Sequence, residues 1–485
     1  MKNNAPPMNT ARRLLGNTAF AFAANILTKA GTALLFIAIG RVLGPAESGM
    51  FSLGTTWFTF VFGLSAFGLH EMMVREVAPR RAESAHYLAN FLALRVSLSL
   101  VTYALLLAGL WLVNPYSPDT TRVILIIALA AIPEGAFAIF QSLFEAHERL
   151  GILLVAAAVS MAFKLGIGLW LLFSGASVVD LVWVVPAAGF ISLLVFVPGL
   201  FRLFRHVPQT LPARLDSPFV RRHLLPSFFV IHVLALLDYQ VDALIISIML
   251  GEESLGYYAA AQAILLAFNL MPAAIRAALY PLMSRYHREA PDKLTILYDK
   301  VNKYIAALVL PLAAGLTLLA APVIELIYGP DFTPAAAVLQ ITIWAIVFLF
   351  LVEPHARMLL VYNKQRQAAW MMALTTALNI ILNLLLIPAI GINGAAIARL
   401  ISSLTLYLLF YAYCHFTIMP SKQPFSFRVI LATLLMALAV LPLRDLFLLI
   451  PIGVGIIVYL GAVRLLGVIP DQDLAYWREF YGKKA

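Results

Sequence analysis

The sequence predicts an all-α polytopic membrane protein with about fourteen transmembrane helices. Three observations support this prediction: the composition, the length of the apolar segments, and the distribution of basic residues between them. Hydrophobic residues make up 62% of the 485-residue chain and charged residues only 12%, whereas a soluble domain carries roughly 25% charged residues. So little charge cannot cover a large soluble core. The composition therefore excludes a soluble enzyme, a secreted disulfide scaffold and a nucleic-acid-binding protein.

The apolar segments are bounded by charged residues, Pro or Gly, and most are long enough to cross a bilayer. They are predicted at 14–39, 50–74, 88–113, 122–146, 152–174, 179–201, 224–250, 257–283, 304–328, 335–360, 369–387, 394–416, 428–444 and 447–467. The last two are short and are separated by Arg444 and Asp445, so twelve or thirteen spans are alternatives. The first segment has no small-residue cleavage site after a short core, so we interpret it as a span rather than a cleaved signal.

Basic residues are concentrated in every second connection between the predicted spans. One set of connections carries 26 Lys and Arg residues, and the other set carries only Arg41, Arg122 and Arg444. The positive-inside rule predicts that the basic set faces the cytoplasm. Both termini are then cytoplasmic and the number of spans is even. The net charge of +10 is thus explained by topology and by contact with anionic membrane lipids, with no nucleic-acid partner.

The longest inner connection, 202–223, predicts a division into two six-helix lobes. The expected domains are an N-terminal lobe at 1–201, the cytoplasmic linker at 202–223, a C-terminal lobe at 224–416, an additional helix pair at 428–467 and a cytoplasmic tail at 468–485. With six spans each, the lobes have the same orientation, so the pseudo-two-fold axis that relates them runs along the membrane normal. Transporters built from such repeats hold their substrate between the repeats, near the bilayer midplane.

Repeated turns support the two-lobe interpretation. The stretch LGPAESGMF contains Gly44 and Gly49, and the stretch LGEESLGYY contains Gly251 and Gly256, at an offset of 207 residues. A second pair, Ser-Pro-Asp at 117–119 and Gly-Pro-Asp at 329–331, is offset by 212 residues. Since glycine permits tight reversals, we interpret the four glycines as outer gate turns that approach each other when the protein is open to the cytoplasm.

Several motifs resemble those of polysaccharide flippases. The stretch Gly40–Gly49 is similar to the end of the first helix in the Wzx-type (O-antigen) flippases of the multidrug/oligosaccharidyl-lipid/polysaccharide exporter superfamily. Further similar stretches are Phe67-Gly68-Leu69 with Arg75-Glu76, Asp242–Gly251 with Gly256-Tyr257-Tyr258, Tyr328–Phe332, and Gly391–Gly394. The resemblance covers roughly residues 14–415.

This resemblance implies a lobe-rocking transporter fold like that of the multidrug exporters in the superfamily. It also implies transport of an undecaprenyl-diphosphate-linked oligosaccharide from the cytoplasmic to the periplasmic leaflet of the bacterial inner membrane. The product would serve the synthesis of O-antigen, capsule or exopolysaccharide. A glycan polymerase of the same pathway is then a candidate partner, and a monomer is expected.

Charged and polar residues within the spans are the candidate substrate site, because a charge at the bilayer centre is costly unless it faces a cavity or a partner. Lys29 shares one helix face with Asn25, Thr28 and Thr32. The predicted cavity residues are Asn25, Lys29, Lys164, Gln262, Asn269, Arg276, Asn379, Asn383 and Arg399. The cations would bind a diphosphate, and the amides would bind sugar hydroxyls. The alternative is that each cation pairs with a buried acid and fixes helix packing. Arg95, near the end of its predicted span, is expected to reach the cytoplasmic surface.

Asp238 and Asp242, four residues apart, are candidates for H⁺ or Na⁺ coupling, with a packing ion pair as the alternative; His70 is interpreted as a helix-end residue. The sequence has no phosphate-binding GxxxxGK[ST] loop, no HExxH motif and no nucleophile–base pair, so we predict no catalytic residues, no metal and no cofactor. The single cysteine, Cys414, excludes an internal disulfide and a cysteine metal cluster. The sequence therefore indicates a transporter rather than an enzyme.

Three alternatives stay open at this point. A cation-coupled multidrug exporter and a lipid II flippase share the predicted architecture. A drug exporter would present an acidic site to its cationic substrates, which the cations in these spans do not favour. A membrane-embedded glycan polymerase or ligase has a large outer loop, and no outer connection here exceeds about ten residues.

Overall fold

A computed structural model of the protein describes residues 8–207, 210–212, 214–216, 229–266, 268, 270–420 and 427–470. All regular secondary structure in these ranges is helical. The chain forms two compact units, unit 1 (Met1–Gly256) and unit 2 (Tyr257–Ala485). The predicted boundary at 202–223 overlaps ranges outside the described residues, and the division into two six-helix lobes stays a prediction.

In the described residues, unit 1 comprises nine α-helices and the first part of a tenth. They are α1 (Met8–Leu43), α2 (Pro45–Leu64), α3 (Leu69–Val77), α4 (Ser84–Leu112), α5 (Pro118–Leu129), α6 (Ala131–Ala146), α7 (Gly151–Phe173), α8 (Val178–Leu181), α9 (Val184–His206) and α10 (Phe229–Leu266). Helix α10 continues into unit 2 through a kink at Gly251, whose φ of 84° lies outside the helical region.

Unit 2 contains the remaining helices of the described chain. They are α11 (Leu270–Glu289), α12 (Pro291–Leu318), α13 (Ala320–Tyr328), α14 (Ala335–Val361), α15 (Gln365–Ile390), α16 (Ile392–Tyr413), α17 (Phe427–Val440) and α18 (Leu449–Leu465). A short π-helical turn, Cys414–Ile418, extends α16. The predicted tail at 468–485 lies outside the described residues from 471 onward.

Local sequence signals explain where several helices begin. Proline occupies the first helical position of α2, α5 and α12, where its missing N–H needs no partner and its fixed φ suits the helix. Ser117 caps α5 by accepting a hydrogen bond from the backbone N–H of Thr120 at 3.2 Å. Glycine with positive φ precedes α2 (Gly44, 98°) and α16 (Gly391, 64°).

Within the described residues, each predicted span overlaps helix in the structure, but several details of the prediction are wrong. The second span is not one helix: α2 and α3 are bent by 43° because Phe67 (φ 45°) and Gly68 (φ 68°) adopt left-handed conformations between them. The connection expected between 283 and 304 is largely helical. In α12 the side chains of Leu294, Tyr298 and Ile305 are buried, and this apolar face extends the helix beyond the predicted span.

Nine helical segments of the described chain are long and apolar enough to cross a membrane, or ten if the bent pair α2–α3 counts as one span. The count of fourteen is not confirmed. The helices α17 and α18 are shorter apolar helices. The protein is thus a multi-pass, all-helical membrane protein.

The helices of each unit pack around shared apolar clusters. In unit 1, Phe91 of α4, Met73 of α3 and Leu143 of α6 lie in one buried cluster. In unit 2, α17 and α18 pack together and α17 also packs on α12. Met436 of α17 lies in a buried cluster with Ala314 of α12. The C-terminal helix pair is therefore integrated into unit 2 by apolar packing.

Candidate functional site

Helices α1 and α7 of unit 1 hold two of the predicted cavity cations and approach each other closely. A methyl group added at Gly31 would lie 2.2 Å from the sulfur of Met161, and one added at Gly168 would lie 3.0 Å from Cδ1 of Leu35. Residue numbers thus rise in the same direction on both helices, so the helices are parallel. Close approach through glycine is typical of helix pairs in membranes.

Lys29 and Lys164 are unpaired cations on this helix pair. From the two close approaches, their levels along the pair differ by two to five residues, which corresponds to roughly 3–8 Å. Both side chains are partly exposed on unit 1. Neither forms a hydrogen bond or an ion pair with any residue that the structure describes. The alternative is that each lysine pairs with a buried acid and fixes helix packing. No described residue supplies such an acid.

The polar face of α1 continues around Lys29. Asn25 and Thr28 are exposed, and the hydroxyl of Thr28 donates to the backbone oxygen of Ala24 at 3.0 Å. The threonine hydroxyl therefore offers its lone pairs, and the Asn25 amide offers both donors and an acceptor. Asn25, Lys29 and Lys164 together form a partly exposed polar group, which we call the lysine face.

The predicted cavity residues of unit 2 lie in more enclosed surroundings. Asn379 and Asn383 are completely buried, and the amide of Asn383 donates to the side-chain oxygen of Asn379 at 3.1 Å. Gln262 donates to the hydroxyl of Tyr258 at 2.8 Å. In this conformation the two asparagines thus face the interior of unit 2 rather than solvent.

The structure gives few contacts for three further predicted cavity residues. Arg399 is partly buried and interacts with another group of the protein. Asn269 lies outside the described residues, as does the side chain of Arg276. Their role in a substrate cavity stays a prediction.

The candidate coupling residues are both in the part of α10 that belongs to unit 1. Asp242 is 1% exposed and Asp238 is partly buried, and each interacts with another group of the protein. Such placement fits a packing ion pair as well as an ion-coupling site. Their role in H⁺ or Na⁺ coupling stays a prediction.

The two glycine turns, residues 44–49 and 251–256, contact each other directly; we call them the tip turns. A methyl group at Gly49 would lie 1.7 Å from the backbone oxygen of Glu252, and one at Gly256 would lie 1.9 Å from that of Pro45. The contact is reciprocal, as expected if the two turns are equivalent positions of the predicted repeats. The backbones can meet this closely only because both positions lack a Cβ atom.

Side chains reinforce the tip contact. The hydroxyl of Thr120 donates to Oε1 of Glu252 at 2.7 Å, and the hydroxyl of Tyr116 lies 3.3 Å from that of Ser247. Gly44 and Gly251 both have positive φ, 98° and 84°, which favours glycine. The tip turns are therefore closed against each other by backbone contact, and residues at the start of α5 add a hydrogen bond to the second turn.

The expectation that Arg95 reaches the membrane surface is wrong. Arg95 is 1% exposed, because α4 begins at Ser84 and places it deeper than the sequence suggested. Its Nη2 donates to the backbone oxygen of Phe62 at 3.0 Å, and its guanidinium carbon lies 4.5 Å from the centre of the Phe62 ring. Arg95 thus binds the C-terminal end of α2, where the helix dipole is negative.

A polar face of α4 supports this end of α2. Ser99 donates to Ser65 at 3.3 Å, and Thr102 lies 3.3 Å from the backbone oxygen of Val61. A methyl group at Gly135 of α6 would lie 2.9 Å from Nε of Arg95. Arg95, Ser99 and Thr102 have the same i, i+4, i+7 spacing as the polar residues around Lys29 on α1. This spacing is the sequence signal that could have identified the polar face of α4.

Within the described residues, no group of three or more His, Cys, Asp or Glu side chains is placed to hold a metal ion. Cys414 is buried. The candidate site comprises two lysines that have no partner among the described residues, together with the contact between the tip turns. In a multi-pass helical protein, these features are typical of a membrane transporter.

A family comparison identifies the kind of transporter. The family described as polysaccharide biosynthesis protein matches residues 38–337, so the chain belongs to this family. A curated relative, the probable low-salt glycan biosynthesis flippase Agl15 of Haloferax volcanii, is 24% identical over 391 residues and covers 79% of both chains.

Solved structures show the same fold. The lipid II flippase MurJ in an inward closed conformation has a TM-score of 0.71 at 17% identity and covers 94% of this chain and 100% of its own. An inward-facing multidrug transporter of the MATE family and MOP superfamily has a TM-score of 0.65 at 12% identity, covering 82% and 97%. The fold is therefore that of the multidrug/oligosaccharidyl-lipid/polysaccharide exporters, as the sequence motifs implied.

Proposed function

We propose that the protein flips an undecaprenyl-diphosphate-linked oligosaccharide from the cytoplasmic to the periplasmic leaflet, for cell-surface polysaccharide synthesis. The observation that carries this proposal is the lysine face: two partly exposed ammonium groups within spans, with no acid paired to them in the described chain. Charges at such depth are costly. A diphosphate would neutralise both lysines and accept their hydrogen bonds.

The charge of the lysine face favours this substrate over the alternatives from the same fold. A cationic drug would be repelled by two lysines, so multidrug export is not supported. The relative named as a glycan biosynthesis flippase supports a lipid-linked glycan. The absence of a long outer connection in the sequence argues against a polymerase or ligase, and we propose a transporter without enzymatic activity, cofactor or resident metal.

Transport is proposed to follow an alternating-access cycle in which the tip turns close the outer side. Both termini would be cytoplasmic, in the inner membrane of a bacterium. In a Cys414→Ala background, cysteines at Glu253 or Asp331 should react with a membrane-impermeant thiol reagent from outside the cell. Cysteines at Pro212 or Gln365 should not, and labelling of Pro212→Cys in intact cells would contradict this orientation. All four positions are exposed in the structure.

The functional test is complementation of a strain that lacks its flippase for a lipid-linked glycan. The wild-type protein should restore surface glycan, and Lys29→Ala with Lys164→Ala should not, although the amount of folded protein is unchanged. Lys29→Arg with Lys164→Arg serves as the charge-preserving control. Restoration only in a strain depleted of its lipid II flippase would assign the protein to lipid II instead.

The tip turns provide a separate test of the transport cycle. Gly49→Ala and Gly256→Ala place a methyl group inside the van der Waals distance of a backbone oxygen, so the closed contact cannot form and transport should fall at least tenfold. Gly109→Ala, with nothing within 4 Å, is the matched control. A cysteine pair at Glu47 and Ser254, or at neighbouring positions, should arrest transport reversibly when cross-linked, because one state of the cycle is then held.

A further inference from the structure

His70 lies in the first turn of α3, directly after the bend in the second span, and it connects α3 to α6. Its Nε2 is 3.1 Å from Oε2 of Glu145, and its Nδ1 is 2.7 Å from the hydroxyl oxygen of Ser142. The amide of Gln141 donates to the other oxygen of Glu145 at 2.8 Å. Both nitrogens of the imidazole thus have partners on α6, and the carboxylate that faces it is held in place.

The hydrogen bonds around His70 indicate the protonation state of its imidazole. Ser142 has one hydroxyl hydrogen, and it donates to the backbone oxygen of Ala138 at 2.7 Å. The bond between Ser142 and His70 then requires Nδ1 to be the donor. The bond to the carboxylate of Glu145 requires Nε2 to be a donor as well. An imidazole with two N–H donors is the protonated form, and a neutral His70 would lose one of these bonds.

The other charged groups around α3 do not replace this pair. Glu71 on the same helix adds a second negative charge that acts on His70. Arg75 and Arg80 both bind Glu76, at the end of α3 away from the bend. Neither arginine therefore neutralises the carboxylate of Glu145 that contacts the imidazole.

The helices packed against α3 place their remaining charged groups elsewhere. On α4, Arg95 binds Phe62. On α6, Glu134 lies next to Gly189 of α9. His147, just after α6, bonds to Ser84 at 2.8 Å. The pair of His70 and Glu145 is thus a distinct titratable link between the inner segment of a bent span and its neighbouring helix.

We propose that His70 is a proton-binding site, and that its protonated ring binds Glu145 and holds α3 against α6. Loss of the proton to solvent removes the positive charge, weakens the bond to Glu145 and costs one of the two hydrogen bonds of the ring. The segment α3 is then held against α6 mainly by their shared apolar cluster, and its contact with α6 weakens. Because α3 follows left-handed residues at Phe67 and Gly68, the bend itself provides the hinge for movement of α3.

In the transport cycle proposed above, His70 would bind and release a proton. Only this role in transport rests on the proposed function. The side chains of His70 and Glu145 are 35% and 24% exposed, so the pair is not sealed in the interior of the protein. Protonation and release of α3 are both measurable on the purified full-length protein without substrate. A failure of this proposal is therefore distinguishable from a failure of the proposed function.

Protonation is tested by hydrogen–deuterium exchange at the Cε1 position of each histidine, read by mass spectrometry across pH. The titration midpoint of His70 is compared between the wild type and two variants. Glu145→Gln should lower this midpoint by at least one pH unit, and the surface control Glu148→Gln should leave it unchanged. A midpoint that does not respond to Glu145→Gln, or that responds equally to Glu148→Gln, would overturn the proposal.

Release of α3 is tested by backbone amide exchange of residues 69–77 on the same samples. After correction for the intrinsic pH dependence, exchange should accelerate at least threefold as pH rises through the His70 midpoint. In His70→Gln it should be fast at every pH. Equal and pH-independent protection in both proteins would refute the link, and the wild-type measurement decides this even if the variant fails to fold.

Discussion

Arg95 and the two lysines of the lysine face are all cations within membrane helices of unit 1, yet their surroundings differ. Arg95 is 1% exposed and binds the end of α2 through the backbone oxygen of Phe62. Lys29 and Lys164 are partly exposed and have no partner in the described chain. Depth in the membrane is therefore a poor guide to the role of a cation, and burial and partners are better guides.

The difference has a physical basis. A buried guanidinium that binds carbonyls at a helix end stabilises a local structure, here the interruption between α2 and α3. An ammonium group at similar depth without a partner stabilises nothing in the protein and needs a ligand or water. We expect experiments to distinguish the two kinds of residue. Substitution of Arg95 should lower the stability of the protein, and substitution of the lysines should reduce substrate transport.

Arg95→Ala has the largest expected effect on folding. It removes the partner of the Phe62 oxygen and leaves unfilled volume in the interior, which should destabilise the protein by about 2–3 kcal/mol. Thermal unfolding in detergent measures this as a lowered midpoint. The control is Arg122→Ala, which removes only an exposed ion pair with Asp119 and should change stability by about 0.5 kcal/mol or less. An Arg95→Ala protein of normal stability that fails to transport would erase the distinction drawn above.

Gly135→Ala should have the next largest effect on stability. The added methyl group meets Nε of Arg95 at 2.9 Å and the hydroxyl of Ser99 at 3.0 Å, so the guanidinium must shift from its position at the end of α2. We expect a loss of about 1–3 kcal/mol in the same unfolding assay. Gly109→Ala, on α4 in open space, should instead be neutral or stabilise the helix by about 0.5–1 kcal/mol. Equal stability of the two variants would show that the position of Arg95 is not constrained.

Lys29→Ala and Lys164→Ala should barely affect unfolding. Since neither ammonium group has a partner in the described chain, we expect changes within about 0.5 kcal/mol together with a loss of transport. Unfolding midpoints are compared with the amount of surface glycan in the complemented strain. A drop in stability as large as that of Arg95→Ala would favour the packing role.

A third buried basic residue, His147, gives the most gradual effect. Burial, together with the charges of Arg81 and Arg149, lowers the pKa of His147 to about 4. The unfolded chain, with a pKa near 6.5, binds a proton that the folded protein does not bind between pH 6.5 and 4. Stability should therefore fall as the pH is lowered through this window, and His147→Asn should reduce the slope of unfolding midpoint against pH. An unchanged slope would mean that His147 is already charged in the folded protein.

The sequence predicted the fold well because its signals are repetitive. Apolar segments long enough for a bilayer located helix at each predicted span, and the motif shared by the tip turns led to the family. The glycine turns were also accessible, since only glycine permits the positive φ found at Gly44 and Gly251. Signals of this kind depend on local sequence and need no knowledge of tertiary neighbours.

The sequence could not separate Arg95 from Lys29, because both lie on a polar helix stripe with the same spacing. Their surroundings differ because of elements remote in sequence. Arg95 contacts the end of α2, whereas the helix that carries Lys29 packs closely against α7. The bend at Phe67 was missed for a related reason: the apolar run continues through it, and hydropathy does not report backbone conformation. The link between His70 and Glu145 likewise depends on the packing of α3 against α6.

The most direct test of the lysine face is binding of a polyprenyl diphosphate to the purified protein in detergent, measured by titration calorimetry at low and moderate salt. We predict that Lys29→Ala and Lys164→Ala each raise Kd at least tenfold, about 1.4 kcal/mol, that the arginine variants bind like wild type, and that Arg122→Ala has no effect. Binding of unchanged affinity in a folded Lys29→Ala, Lys164→Ala double variant would contradict the assignment of these lysines to the substrate.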